Sequence, residues 1–195
     1  MKNRLFLLVS IVIVLLYLPI KNGFFQQDEW LAFGNVYGTF GESFSRIISQ
    51  LFAPNVGHYV PLHHLFFNLL FRLFGRNYLP WTLISIIWHI SITFLVYLLS
   101  LRLFKKSIFA FVAALFFGIA ASGYQATSWV GADINTHGAT FFGVLSLVLL
   151  LEFLRKEEKS KQYFILSCVL LFVSLLFKEI AIGLFLLIPL MIWLF

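Results

Sequence analysis

Two carboxylates stand side by side at Asp28–Glu29, inside "FFQQDEWLAF" (24–33), in a chain that otherwise avoids charge. A cation and an anion stand together again at Lys178–Glu179. Between them fall His58, His63 and His64, then Arg72 and Arg76, then Asp133 and His137. A positioned carboxylate takes a proton from a hydroxyl as general base. A lysine or arginine steadies a departing phosphate. The histidines lack a metal spacing such as H-E-x-x-H, and no Gly-rich phosphate loop is present, which argues against nucleotide hydrolysis. Each group also has a plainer reading. Asp28–Glu29 reads as a solvated helix end, Lys178–Glu179 as a simple loop pair between two spans, His63–His64 as interfacial anchors, and Asp133 as a helix cap.

The elements that must position these groups are set by composition. The 195 residues are 61% hydrophobic, 19% aromatic and only 11% charged, with a mean hydropathy of +0.96. Soluble domains carry roughly 25% charged residues. Several apolar runs approach the roughly 18–20 residues that cross a bilayer, without the alternation of barrel strands. The fold class expected is therefore all-α, a polytopic transmembrane bundle. The net charge of +6 lies beside apolar runs, as orientation signals do, and implies no nucleic-acid partner. The single cysteine, Cys168, forms no internal disulfide.

About six spans are expected, at 3–20, 79–101, 107–123, 137–154, 162–177 and from near 180 onward. Residues 21–77 form a first outer loop, in which 43–52 and 60–75 read as amphipathic helices lying in the interface. Asp133 and His137 fall in an outer loop before the fourth span. Nine Lys/Arg (Lys2, Arg4, Arg102, Lys105, Lys106, Arg155, Lys156, Lys159, Lys161) flank one side and five (Lys21, Arg46, Arg72, Arg76, Lys178) the other. The clustered nine favour a cytoplasmic N-terminus. The chain stops within "GLFLLIPLMIWLF" (183–195), so it is expected to be the N-terminal transmembrane module (1–195) of a longer protein. The lipid bilayer is its first partner.

With this layout, the sequence resembles the GT-C-fold glycosyltransferases, in particular the protein O-mannosyltransferase and aminoarabinose-transferase type. A D-E pair directly after the first helix is similar to their first-loop signature. "HYVPLHHLFFNLLFRLFG" (58–75) resembles their interfacial helix, "YQATSWVGADINTHGATFFGVLSLVLL" (124–150) their entry to the fourth span, and "FKEIAIGLFLLIPL" (177–190) their K-E turn. Two arginines common in such sequences are missing here, replaced by Val60 and by Gly131 or Ala132. The resemblance implies transfer of a sugar from a polyprenyl-phosphate donor to a hydroxyl of a protein, lipid or glycan. Asp28 would be the base of an inverting displacement and Glu29 its helper. Lys178, Arg72 and Arg76 would face the phosphate, with His58, His63, His64, Asp133, His137 and Glu179 completing the site. No cofactor is required; a divalent cation is compatible with the carboxylates but not demanded. The expected location is a bacterial plasma (inner) membrane, with the active face outside the cytoplasm. Two other classes fit the composition: a transporter or flippase, and a non-catalytic truncated scaffold.

Overall fold

The computed structural model describes residues 2–39, 41–53, 58–131, 133–155 and 161–194. Lys156, Lys159 and Ala132 lie outside them. Among the described residues there are ten α-helices: α1 (Lys2–Tyr17), α2 (Gln27–Tyr37), α3 (Phe44–Leu51), α4 (Pro61–Phe74), α5 (Tyr78–Phe104), α6 (Ser107–Ile119), α7 (Ala121–Ser128), α8 (Asp133–Arg155), α9 (Lys161–Phe177) and α10 (Leu187–Leu194). Two 3₁₀ segments, Leu18–Asn22 and Glu179–Leu186, extend α1 and precede α10. No strand occurs among the described residues.

Three segments are long and apolar enough to cross a membrane: Leu5–Asn22, Tyr78–Phe104 and Asp133–Arg155. A fourth is the pair Ser107–Ile119 and Ser122–Ser128, bent by 52°. Two shorter apolar stretches follow, Lys161–Phe177 and Glu179–Trp193. The chain is thus an all-helical membrane protein with three to four candidate spans by length and composition. The last stretch is broken for a local reason. Pro189 has no N–H to give and its ring crowds the carbonyl four residues earlier, at Phe185. The chain before it winds as 3₁₀ instead.

The bundle is held at three levels. At one end of the bundle, α2 and α4 pack on the start of α5 through rings. Phe33 lies 4.7 Å from Phe25 and from Phe71, and Phe67 lies 5.1 Å from Trp81. Trp81 is therefore fully buried in this cluster. In mid-bundle, α8 and α9 approach through small residues, the usual device where lipid supplies no hydrophobic drive. Ser146 Oγ donates to Ser167 O (2.8 Å), Ser167 Oγ to Ser146 O (2.9 Å), and Ser174 Oγ to Ala139 O (2.6 Å). At the opposite end, Arg102 of α5 pairs with Glu152 of α8.

The structure corrects one boundary. Asp133 and His137, expected in a loop ahead of the fourth span, are the first turns of α8 and are buried. "YQATSWVGADINTHG" carries no proline to stop a helix, so most of it is wound into α7 and α8. At an (i, i+4) spacing the two side chains meet on one helical face. His137 Nδ1 lies 2.9 Å from the Asp133 carboxylate, which also accepts from Ser85 Oγ.

Gly138 sits where α8 meets Phe177, and a Cβ there would clash with the Phe177 ring. Gly138→Val should push α9 away and cost about 1–3 kcal/mol of stability, as overpacked cores do. Thermal unfolding in detergent checks this; an unchanged melting temperature would contradict it.

Candidate functional site

The cavity is built from two helical faces and two turns. On α2, Asp28, Leu31, Ala32 and Asn35 follow the i, i+3, i+4, i+7 rule of one face, and all four line the cavity. On α4 and its N-cap, Val60, His63, His64 and Phe67 repeat that spacing and line it as well. Gly131 and Asn135 enter from the start of α8, and Lys178, Glu179 and His58 close the wall. The cavity volume is about 480 Å³.

Residues far apart in sequence thus share one space: Asp28, Glu29, His58, His63, His64, Lys178 and Glu179. The other four candidates do not line it. Asp133 and His137 sit in the packed bundle, bonded to each other and, through Ser85 and Thr127, to α5 and α7. Arg72 donates to Thr39 Oγ1 (3.1 Å), and Arg76 is exposed in the turn after α4. Val60, and Gly131 as one of the two positions (Gly131 or Ala132) matched to the second missing arginine, line the cavity without charge.

The two adjacent carboxylates have different surroundings. Asp28 is exposed in the first turn of α2, where the helix dipole favours a negative charge. Glu29 is 1% exposed. One of its oxygens accepts the N–H of Gln26 (2.5 Å), capping α2; the other accepts the N–H of Gly131. A Cβ on Gly131 would lie 2.8 Å from that oxygen and 3.0 Å from the Phe67 ring, so only glycine lets the strand of chain before α8 come this close.

The cations and histidines are equally constrained. Lys178 Nζ donates to Thr136 Oγ1 of α8 (2.9 Å), which leaves two further N–H donors on the ammonium. Glu179 takes the Tyr59 N–H (2.5 Å) and lies 3.3 Å from His58 Nδ1, clasping the chain before α4 to the turn after α9. Burial alone would raise the Glu179 pKa. The N–H groups of Tyr59 and Glu179 itself, with the His58 ring, outweigh it and hold the carboxyl below the ordinary glutamate range. Burial, then His64, then the Lys178 charge push His63 down to about 3, so its ring is neutral at physiological pH. Burial also lowers His64. Among the described residues, no group of three or more His, Cys, Asp or Glu side chains is placed to hold a metal ion.

Sequence reasoning passed over Asn35 and the apolar wall residues Leu31, Ala32 and Phe67. The signal for Asn35 was available, since it lies seven residues after Asp28 on the same helical face. His89, buried in α5, was also passed over; it lies 3.0 Å from Gly118 O, with its ring 5.9 Å from that of His137. No protein-family model, no curated protein and no solved structure matches the chain.

Glu29 is thus placed as the fastener between α2 and the segment before α8. Glu29→Ala leaves two backbone N–H groups without their acceptor, at about 1–3 kcal/mol each. Glu29→Gln keeps an amide oxygen for one of them and should lose less. Melting temperatures in the order wild type, Glu29→Gln, Glu29→Ala are expected; equal melting of all three would remove the fastening role.

Proposed function

We propose that this chain carries the active face of a membrane glycosyltransferase, which moves a sugar from a polyprenyl-phosphate donor to a hydroxyl of a protein, lipid or glycan. The observation that carries the reading is the meeting of Asp28, Lys178 and the 58–64 histidines around one 480 Å³ cavity at a single end of a helical membrane bundle. A lipid-linked donor requires a site at the bilayer edge, and this cavity lies between α2, the N-terminal half of α4, the start of α8 and the turn after α9. The sequence resemblance to GT-C enzymes runs through the same three segments.

In this reading the acceptor O–H is broken and its proton passes to the Asp28 carboxylate. The acceptor oxygen bonds to the anomeric carbon, on the face opposite the leaving group. The bond from that carbon to the phosphate oxygen breaks, and its electron pair leaves on the polyprenyl phosphate. The phosphate is already a good leaving group, so the protein's task is positioning and charge, with Lys178 as the nearest fixed cation. Glu29 holds Asp28 at the cavity mouth by fixing the first turn of α2.

The proposed topology has about six spans, the N-terminus in the cytoplasm and the cavity outside, in a bacterial plasma membrane. Arg102, Lys105, Lys106 and Arg155 gather at the end away from the cavity, as cytoplasmic loops do. At 17 residues, α9 is at the lower limit of what crosses a bilayer.

Two substitutions separate the roles. Asp28→Asn keeps shape and removes basicity, so turnover should fall by about 10²–10⁴-fold, the usual worth of general base catalysis. Lys178→Met should chiefly raise the KM for the donor. The measurement is sugar transfer from polyprenyl-phosphate donors by the chain in membranes. Near-normal turnover of Asp28→Asn would remove Asp28 as the base.

A further inference from the structure

The end of the bundle away from the cavity carries charges that have no part in the proposed transfer. Helices α5 and α6 are joined there by two residues only, Lys105 and Lys106. Both are exposed, and among the described residues neither meets a carboxylate. Arg102, one turn earlier, differs from them because it is committed to Glu152 of α8. The tip of the hairpin therefore presents two adjacent ammonium groups.

The backbone that presents them is strained. Lys105 has φ 56°, and among the described residues no other non-glycine residue has a positive φ. Helices that end in this left-handed turn usually do so on glycine, which has no Cβ to crowd the backbone. The Lys105 N–H closes α5 on Leu101 O (2.9 Å), a bond that glycine would make equally well. Strain held at one residue points to a use for the side chain that bears it.

Next to the ammonium groups lies an apolar collar. Phe104, Ile108 and Phe109 are each half-exposed. The rings of Phe104 and Phe109 meet edge to face at 5.8 Å, and Lys106 Nζ lies 5.7 Å from the centre of the Phe109 ring. The tip is thus two-layered, with cations at the turn and aromatic and aliphatic surface beside them.

The height of this tip fits the boundary of a bilayer. The 27 residues of α5 make a rod of about 40 Å at 1.5 Å per residue. The hydrocarbon layer is roughly 30 Å thick, or roughly 40–45 Å with its headgroups. A helix of this length that starts in one headgroup layer ends in the other. The collar then lies at the acyl boundary and the lysines among the phosphates.

We propose that the α5–α6 tip binds the headgroup of an anionic phospholipid in the leaflet opposite the cavity. The lipid phosphate accepts charge-assisted hydrogen bonds from Lys105 and Lys106, and its acyl chains lie along Phe104, Ile108 and Phe109. A zwitterionic lipid is the poorer partner, because its own ammonium offsets the phosphate charge that the lysines attract. The binding stands independently of the transfer reading.

The test is native mass spectrometry of the detergent-solubilised full chain, titrated with phosphatidylglycerol or with phosphatidylcholine. The dissociation constant of the first retained lipid is read for each. Phosphatidylglycerol should bind more tightly than phosphatidylcholine. The double variant Lys105→Gln with Lys106→Gln should weaken the first phosphatidylglycerol by about threefold to tenfold, given the worth of each lysine near an anionic surface. Lys161→Gln, an exposed cation at the start of α9, should leave that constant unchanged. Lys105→Gly separates binding from folding. It should weaken phosphatidylglycerol binding and yet melt no lower than wild type in lipid-free detergent, because glycine takes the left-handed turn without strain. Equal affinity of the wild type for the two lipids would overturn the site, as would an unchanged constant in the double variant. An equal loss in Lys161→Gln would replace it with diffuse surface charge. A Lys105→Gly that melts lower and keeps its lipid would assign this lysine to the fold and overturn its role in binding.

Discussion

The geometry of the charged end depends on one buried carboxylate. An isolated carboxylate at 1% exposure would be prohibitive without partners. Glu29 has them: the N–H of Gln26, which starts α2, and the N–H of Gly131, which leads into α8. One side chain thereby fixes the first turn of α2 against the entry to α8. Asp28, its neighbour in that turn, is held at the cavity mouth as a consequence. The aromatic cluster of Phe25, Phe33, Phe67 and Trp81 packs alongside and gives the arrangement its apolar support.

From Gly131 onward the constraint passes down the bundle. Asp133 engages Ser85 of α5 and His137 of α8, and Ser85 also donates to the Thr127 carbonyl of α7 (2.9 Å). These groups lie within apolar helices, where unpaired polar atoms are costly, and so they lock α5, α7 and α8 together. The serine contacts of α8 and α9 then set the height at which α9 ends. That height delivers Lys178 to Thr136 and Glu179 to Tyr59. The cavity that results carries carboxylates, an ammonium and imidazoles.

Much of this was legible in the sequence, for identifiable reasons. Long apolar runs gave the helices of α1, α5 and α8, because length and apolarity are local properties. The 43–52 and 60–75 stretches match α3 and α4 closely, since Ser43 and Pro61 mark their starts. The grouping of Asp28, His63 and Lys178 followed from sidedness alone. What escaped was tertiary. Nothing in "GADINTH" shows that Asp133 and His137 fold into α8 and turn away from the cavity. Arg72 and Arg76 lie on α4 and its following turn, but not on the face of Val60, His63, His64 and Phe67. The division of labour between Asp28 and Glu29 was invisible as well, because it depends on a backbone N–H 102 residues away.

The central claim is that segments 28–35, 58–64 and 178–179 form one site for a polyprenyl phosphate. Photo-crosslinking of the reconstituted full chain with a benzophenone-bearing polyprenyl phosphate, followed by peptide mapping, tests it most directly. The account predicts adducts in all three segments, each suppressed by excess unlabelled polyprenyl phosphate and reduced together by Lys178→Met. Adducts confined to the lipid-facing sides of the helices, or insensitive to competition, would contradict it.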